Sequence, residues 1–115
     1  MKKTILSVFS FLFIGMGVNA QQLETTTFTV YGNCGMCERT IEGAVGEKDG
    51  VTETDWDRET HQMTITYDPE KISVDMVKEK IAAKGYDSDT HRATDKAYNG
   101  LPGCCKYERP DKKNN

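Results

Sequence analysis

The tetrad Cys34-Gly35-Met36-Cys37 is the stretch of this chain best suited to chemistry. With one cysteine in a loop and the other on the first turn of a helix, both sulfurs can turn toward a single point. Main-chain amides and the dipole at a helix start favour negative charge there, which lowers a thiol's pKa and supplies a thiolate. Thiolates select soft ions such as Cu(I) and Zn(II), and two of them suit the near-linear coordination of Cu(I) better than the four ligands of structural zinc. A second pair, Cys104 and Cys105, brings the total to four cysteines. Adjacent cysteines strain a disulfide with each other. Three readings of the second pair therefore stand open: further metal ligands, disulfide partners for Cys34 or Cys37, or a separate thiol pair. Met36, between the first two cysteines, reads as facing solvent or a partner. His61 and His91 stand among polar residues and read as solvated, with His61 the better placed for ligation.

These residues need elements to hold them. Phe28-Thr29-Val30-Tyr31, led in by threonines from Thr25, alternates as a strand with Phe28 and Val30 inward. From Cys37 to Lys48 the spacing turns helical, with Ile41, Ala44 and Val45 as the apolar stripe, weakened by Gly43 and Gly46 and stopped at Asp49-Gly50. Val51 to Asp57 and Gln62 to Tyr67 read as two strands joined through Arg58-Glu59-Thr60, with Trp56, Met63, Ile65 and Tyr67 in the core. Ser73 offers a cap for a second helix marked by Val74, Met76, Val77 and Ile81, running to Lys84 and ended by Gly85. Tyr86 to Arg92 is a weak fourth strand. The order is that of an α+β, ferredoxin-like βαββαβ sandwich. Residues 93–115 form a C-terminal extension, polar and frayed from Arg109 onward.

The N-terminus has the layout of a secretory signal peptide over residues 1–20: Lys2 and Lys3, an apolar run from Ile5 to Val18, then Val18-Asn19-Ala20. The run is shorter than the roughly 20 apolar residues of a spanning helix. The expectation is an exported protein, periplasmic or secreted, with no membrane span after cleavage. Losing Lys2 and Lys3 takes the 15 Lys and Arg to 13 against 18 Asp and Glu, a formal charge of −5. That balance argues against nucleic acid and anionic membrane surfaces as partners and leaves metal cations and basic proteins. The acidic residues between Asp49 and Asp57 read as a solvated face or a docking patch.

Gly32-Asn33-Cys34-Gly35-Met36-Cys37 with Ile41, Gly50-Val51 and Gly85-Tyr86 resembles the heavy-metal-associated domain family over about Thr26 to Asp89. The resemblance implies a domain over residues 21–92 whose first loop holds metal through Cys34 and Cys37. It also implies a tyrosine, Tyr86, beside the metal. A leader followed by one such domain is similar in layout to the mercuric transport periplasmic proteins, and Tyr98-Asn99-Gly100-Leu101-Pro102-Gly103-Cys104-Cys105 resembles a tail on some Bacteroidetes members. Two positions depart from the family: Gly32 replaces a methionine that packs under the loop, and Asn33 replaces a threonine. The last strand runs away from the metal loop, yet the dozen residues from Ala93 to Cys104 are enough to return, so Cys104 and Cys105 are candidate ligands with Cys34 and Cys37.

The expected function is a non-enzymatic carrier. It would bind Cu(I), with Hg(II), Ag(I), Zn(II) or Cd(II) as alternatives, and pass it by ligand exchange to a thiol-bearing transporter or acceptor protein. Two other classes compete. A thiol-disulfide oxidoreductase would use Cys34 and Cys37 as a redox couple, although the tryptophan and proline usual around the thioredoxin motif are missing. A disulfide-stabilised interaction module would have no metal role.

Overall fold

The structure is a computed structural model that describes residues 22–111; the signal-peptide reading over residues 1–20 lies outside them. Strand β1 (Glu24–Thr29), helix α1 (Gly35–Glu42), strands β2 (Val51–Trp56) and β3 (Gln62–Tyr67), and helix α2 (Val74–Ala83) follow in the expected order. The sheet is three-stranded and antiparallel, ordered β1-β3-β2. Among the described residues no helix is long and apolar enough to cross a membrane.

Period-two alternation sets the faces of the sheet. Phe28, Met63, Ile65 and Tyr67 turn inward and are buried, while on the other face the hydroxyls of Thr25 and Thr66, and of Thr27 and Thr64, pair across β1 and β3 at 3.0 Å. Val51 and Trp56 are an odd number of residues apart yet both buried, because the register shifts between Val51 and Glu53 and reverses the phase of β2. From the helices, Cys37, Ile41, Val77 and Ile81 close the core, and the Ser73 hydroxyl caps α2 by accepting the Met76 N–H at 3.1 Å.

Several expectations change. The first helix does not run on to Lys48: it ends at Glu42, and Gly43 and Gly46 carry the chain through a turn to a 3-10 turn at Glu47–Asp49. Val45 is still buried, so its helical spacing marked an inward-folded loop. Met76 lies on the outer face of α2, with 46% exposure. The fourth strand shrinks to a single bridge, Val30 to Ser88, flanking β1 on its free edge. Ser88 donates its N–H to the His91 carbonyl at 2.8 Å, which closes a turn and takes the segment out of the ladder. The α+β ferredoxin-like arrangement is otherwise as read.

The extension is built into the domain. After α3 (Asp95–Asn99) and a 3-10 turn at Gly103–Cys105, Cys105 and Tyr107 enter the core. Gly85, at φ 104°, ends α2 in the left-handed region, and a Cβ there would stand 2.9 Å from the Ala97 carbonyl oxygen and 3.0 Å from Leu101 Cδ2. That position therefore needs glycine twice, for its backbone and for the returning tail. Arg109, expected to be frayed, is the tail's anchor. Its guanidinium donates through Nε and Nη2 to the two carboxylate oxygens of buried Asp87, both at 2.8 Å, and Nη2 also reaches the Ala93 carbonyl. The reason is chemical: the Asp87 carboxylate is 1% exposed, and a carboxylate so desolvated needs a cation.

Candidate metal centre

Cys34 caps the N-terminus of α1 with extended backbone, and Cys37 sits within the first turn, so the helix geometry brings their sulfurs to 3.2 Å. Cys37, on the first turn as read, is fully buried and belongs to the core. Asn33 Oδ1, 3.1 Å from Cys37 Sγ, accepts its S–H. Beneath the loop, Trp56 occupies the space that the family's methionine would need. A Cβ on Gly32 would stand 2.9 Å from Trp56 Cη2 and 3.1 Å from Ile41 Cδ1. Trp56 is itself fixed by donating Nε1–H to the Val30 carbonyl at 2.9 Å. The departure at Gly32 thus has a partner in the core, and the loop rests on an indole instead of a thioether.

The tail completes the cluster. Cys105 Sγ stands 3.7 Å from Cys34 Sγ, and Cys104 Sγ stands 3.8 Å from Cys105 Sγ. Single sulfur atoms of Cys34, Cys104 and Cys105 all fall within 4.8 Å of one another. All four cysteines are free thiols, and the structure brings all four together. For comparison, sulfurs sharing one ion at a metal–sulfur length of about 2.3 Å stand roughly 3.8–4.0 Å apart. His61 and His91 join no such group among the described residues. The His61 ring instead stacks on Trp56, centroids 5.8 Å apart and nearly parallel.

The electrostatics single out Cys34. Chiefly because the Cys37 main-chain N–H points at its sulfur, its thiol is lowered to about 7, with the Cys37 and Cys105 thiols and the Met36 N–H assisting. A large part of Cys34 is therefore thiolate at neutral pH. Burial pushes the Cys105 thiol up to about 12, and the neighbouring Cys37 thiol pushes the same way. One charged sulfur thus sits among thiols that give up protons when a cation arrives. Tyr86 is buried against the site, and burial first, with the neighbouring Cys37 and Cys105 thiols assisting, raises its own pKa well above the ordinary tyrosine value.

Sequence reading found Tyr86 but missed the residues that hold the tail. The Tyr107 ring stacks on Tyr86 at 5.6 Å, accepts the Asp87 N–H and donates to the Gly85 carbonyl, both at 2.8 Å. Tyr98 closes the other side, donating to the Tyr107 carbonyl at 2.6 Å with its ring edge-on to Tyr107. In sequence these are tyrosines in a polar tail; their density was the one signal available. In the acidic stretch, Asp55 gathers with Glu38 and Glu42 of α1, and burial with this company raises the Glu42 pKa.

The sequence profile of the heavy-metal-associated domain matches residues 27–87. Copper chaperone CopZ of Staphylococcus aureus strain JH9 is 38% identical over 55 residues, which is 48% of this chain and 81% of that protein. Among solved structures, oxidized MerP from Ralstonia metallidurans CH34 aligns with a TM-score of 0.54 and 34% identity, covering 57% of this chain and 93% of that one. The N-terminal domain of a potential copper-translocating P-type ATPase from Bacillus subtilis, in its Cu(I)-loaded state, aligns with a TM-score of 0.54 and 27% identity over 57% of this chain and 84% of that one. The expectation of a carrier rather than an enzyme agrees with a relative named for chaperoning copper.

Proposed function

The chain belongs to the heavy-metal-associated domain family, and from that premise we propose that it is an exported carrier of Cu(I), which it holds through Cys34, Cys37 and the tail's Cys105. The observation that carries this reading is the Cys34 sulfur, lowered to about 7, with two further sulfurs at 3.2 and 3.7 Å. A donor set made only of sulfur favours a soft ion; Cys34, Cys37 and Cys105 suffice for Cu(I), whereas Zn(II), whose structural sites take four, would also need the exposed Cys104. Hg(II), Ag(I) and Cd(II) share this preference and are the competitors to test.

Handover proceeds by ligand exchange: an incoming thiolate takes the ion while a thiol of this site regains its proton. The acceptor is a thiol-bearing transporter or chaperone of the same architecture, a role supported by the likeness to a domain of a potential copper-translocating ATPase. Export rests on Lys2, Lys3, the apolar run and Val18-Asn19-Ala20, and places the carrier in the periplasm or outside the cell. Thiol–disulfide exchange would draw on the same Cys34 thiolate, and turnover in insulin reduction would identify it.

The deciding experiment is anaerobic titration of the reduced protein with Cu(I), Zn(II) and Hg(II) against chelators of graded affinity. Cu(I) held through gel filtration, with Zn(II) lost to a weak chelator, supports the reading. Zn(II) retained as firmly as Cu(I) would defeat the Cu(I) assignment. Export is tested by the mass of the protein recovered outside the cytoplasm, expected to match cleavage after Ala20.

A further inference from the structure

The sulfur atoms of the site do not stop at the cysteines. Cys104 Sγ lies 3.8 Å from the Met36 thioether sulfur as well as 3.8 Å from Cys105 Sγ. Together with the contacts of Cys34 to Cys37 and Cys105, this makes an unbroken row: Cys37, Cys34, Cys105, Cys104, Met36. Exposure is graded along it. Cys37 and Cys105 are buried, Cys34 is half-buried, Cys104 is exposed and Met36 is 47% exposed. The outer end of the row is thus a thioether and a thiol held together from segments 68 residues apart, both open to solvent.

We propose that Cys104 and Met36 form an outer soft-metal position, a port through which Cu(I) or Ag(I) reaches and leaves the inner thiols. The proposal rests on the carrier reading of Cys34 and Cys37. Thiolate plus thioether is a donor pair that soft monovalent ions accept and that hard cations do not. The pair also differs from the inner site in charge. A monovalent ion on two thiolates leaves a net negative complex, whereas on one thiolate and one neutral thioether the complex is neutral, so the outer position holds the ion less firmly. Weaker holding at the exposed end is what a transfer point requires.

Each step along the row exchanges one sulfur ligand for the next. The receiving thiol releases its proton to solvent, the sulfur left behind regains one, and the ion stays monovalent. Met36 takes part without any proton, because a thioether carries none.

The test uses the reduced full chain, Cu(I) and Ag(I) as probes, and the variants Met36→Leu and Cys104→Ser, both at exposed positions. The parent is expected to bind a tight first equivalent and a weaker second, and the second should shift the Met36 methyl resonance in spectra of methyl-labelled methionine. In either variant the second equivalent is lost, and transfer of the first to a competing chelator slows by about tenfold, the low end of what losing a supporting group costs a metal site. Combining the variants slows transfer no further, because both act on one step. An unmoved Met36 resonance with parental transfer rates in both variants, alongside a tight first equivalent, would overturn the port and leave the carrier reading standing. A parent with no tight first equivalent would overturn the carrier reading, and the port with it.

Discussion

The sulfurs of Cys105 and Cys34, 71 residues apart in the chain, stand 3.7 Å from each other. Nothing in the ladder of β-strands produces this contact. It depends on the return of the tail, and that return is fixed by two anchors: Arg109 on Asp87, and Tyr107 between Tyr86 and Tyr98. The loop and helix start that carry Cys34 and Cys37 belong to the domain, but the third sulfur of the cluster is supplied by the extension.

Arg109→Ala removes the nearer of two cations from a carboxylate that is 1% exposed, leaving it only Arg92 Nη1 at 3.9 Å. Breaking a buried pair from one side costs about 3–5 kcal/mol, because the remaining charge stays desolvated. Urea unfolding should show a loss of that size, and Cys105 should become open to alkylation in the native protein. A variant as stable as the parent, with Cys105 still protected, would remove the anchor role.

Tyr107→Phe leaves the Asp87 N–H and the Gly85 carbonyl without their buried partner. The expected loss is about 1–3 kcal/mol. Alkaline behaviour supplies an independent check. Burial raises the pKa of both Tyr86 and Tyr107, so above the ordinary tyrosine value of about 10 the unfolded chain ionises first and the folded state loses stability as pH rises. Their contribution is intact below pH of about 10. Chemical denaturation from pH 8 to 11 should show a steeper alkaline fall in the parent than in Tyr107→Phe. Equal slopes would count against the buried hydroxyl.

Gly32→Ala forces a methyl group against Trp56 Cη2 at 2.9 Å and should cost about 1–3 kcal/mol. Trp56→Phe, which shortens the ring beneath the loop, should recover part of that loss in the double variant. A double-mutant cycle measures the coupling. Additive effects would mean that the loop does not rest on the indole.

Much of the site was legible because its chemistry is local. The Cys34 and Cys37 spacing, the strand before it and the Ser73 cap all depend on neighbours a few residues away, and β3 was read to its observed ends, Gln62–Tyr67. The first helix was read too long because Val45 is buried from a loop, and burial alone does not distinguish a loop from a helical turn. The tail was read as open-ended because its order comes from contacts such as Asp87 with Arg109, 22 residues apart, which no periodicity encodes. Arg109 among polar residues resembles any solvated end. Only the buried, cation-seeking Asp87 shows why it is not one.

Cys34 is the centre of the inner site, its sulfur 3.2 Å from that of Cys37 and 3.7 Å from that of Cys105. The most direct test of its role is anaerobic Cu(I) titration of reduced parent and Cys34→Ser against a common chelator, with folding of both checked by circular dichroism. A folded variant whose Cu(I) affinity has fallen by about a hundredfold or more is the predicted result. Equal affinity in the parent and the folded variant would contradict the assignment of this thiol cluster as the metal site.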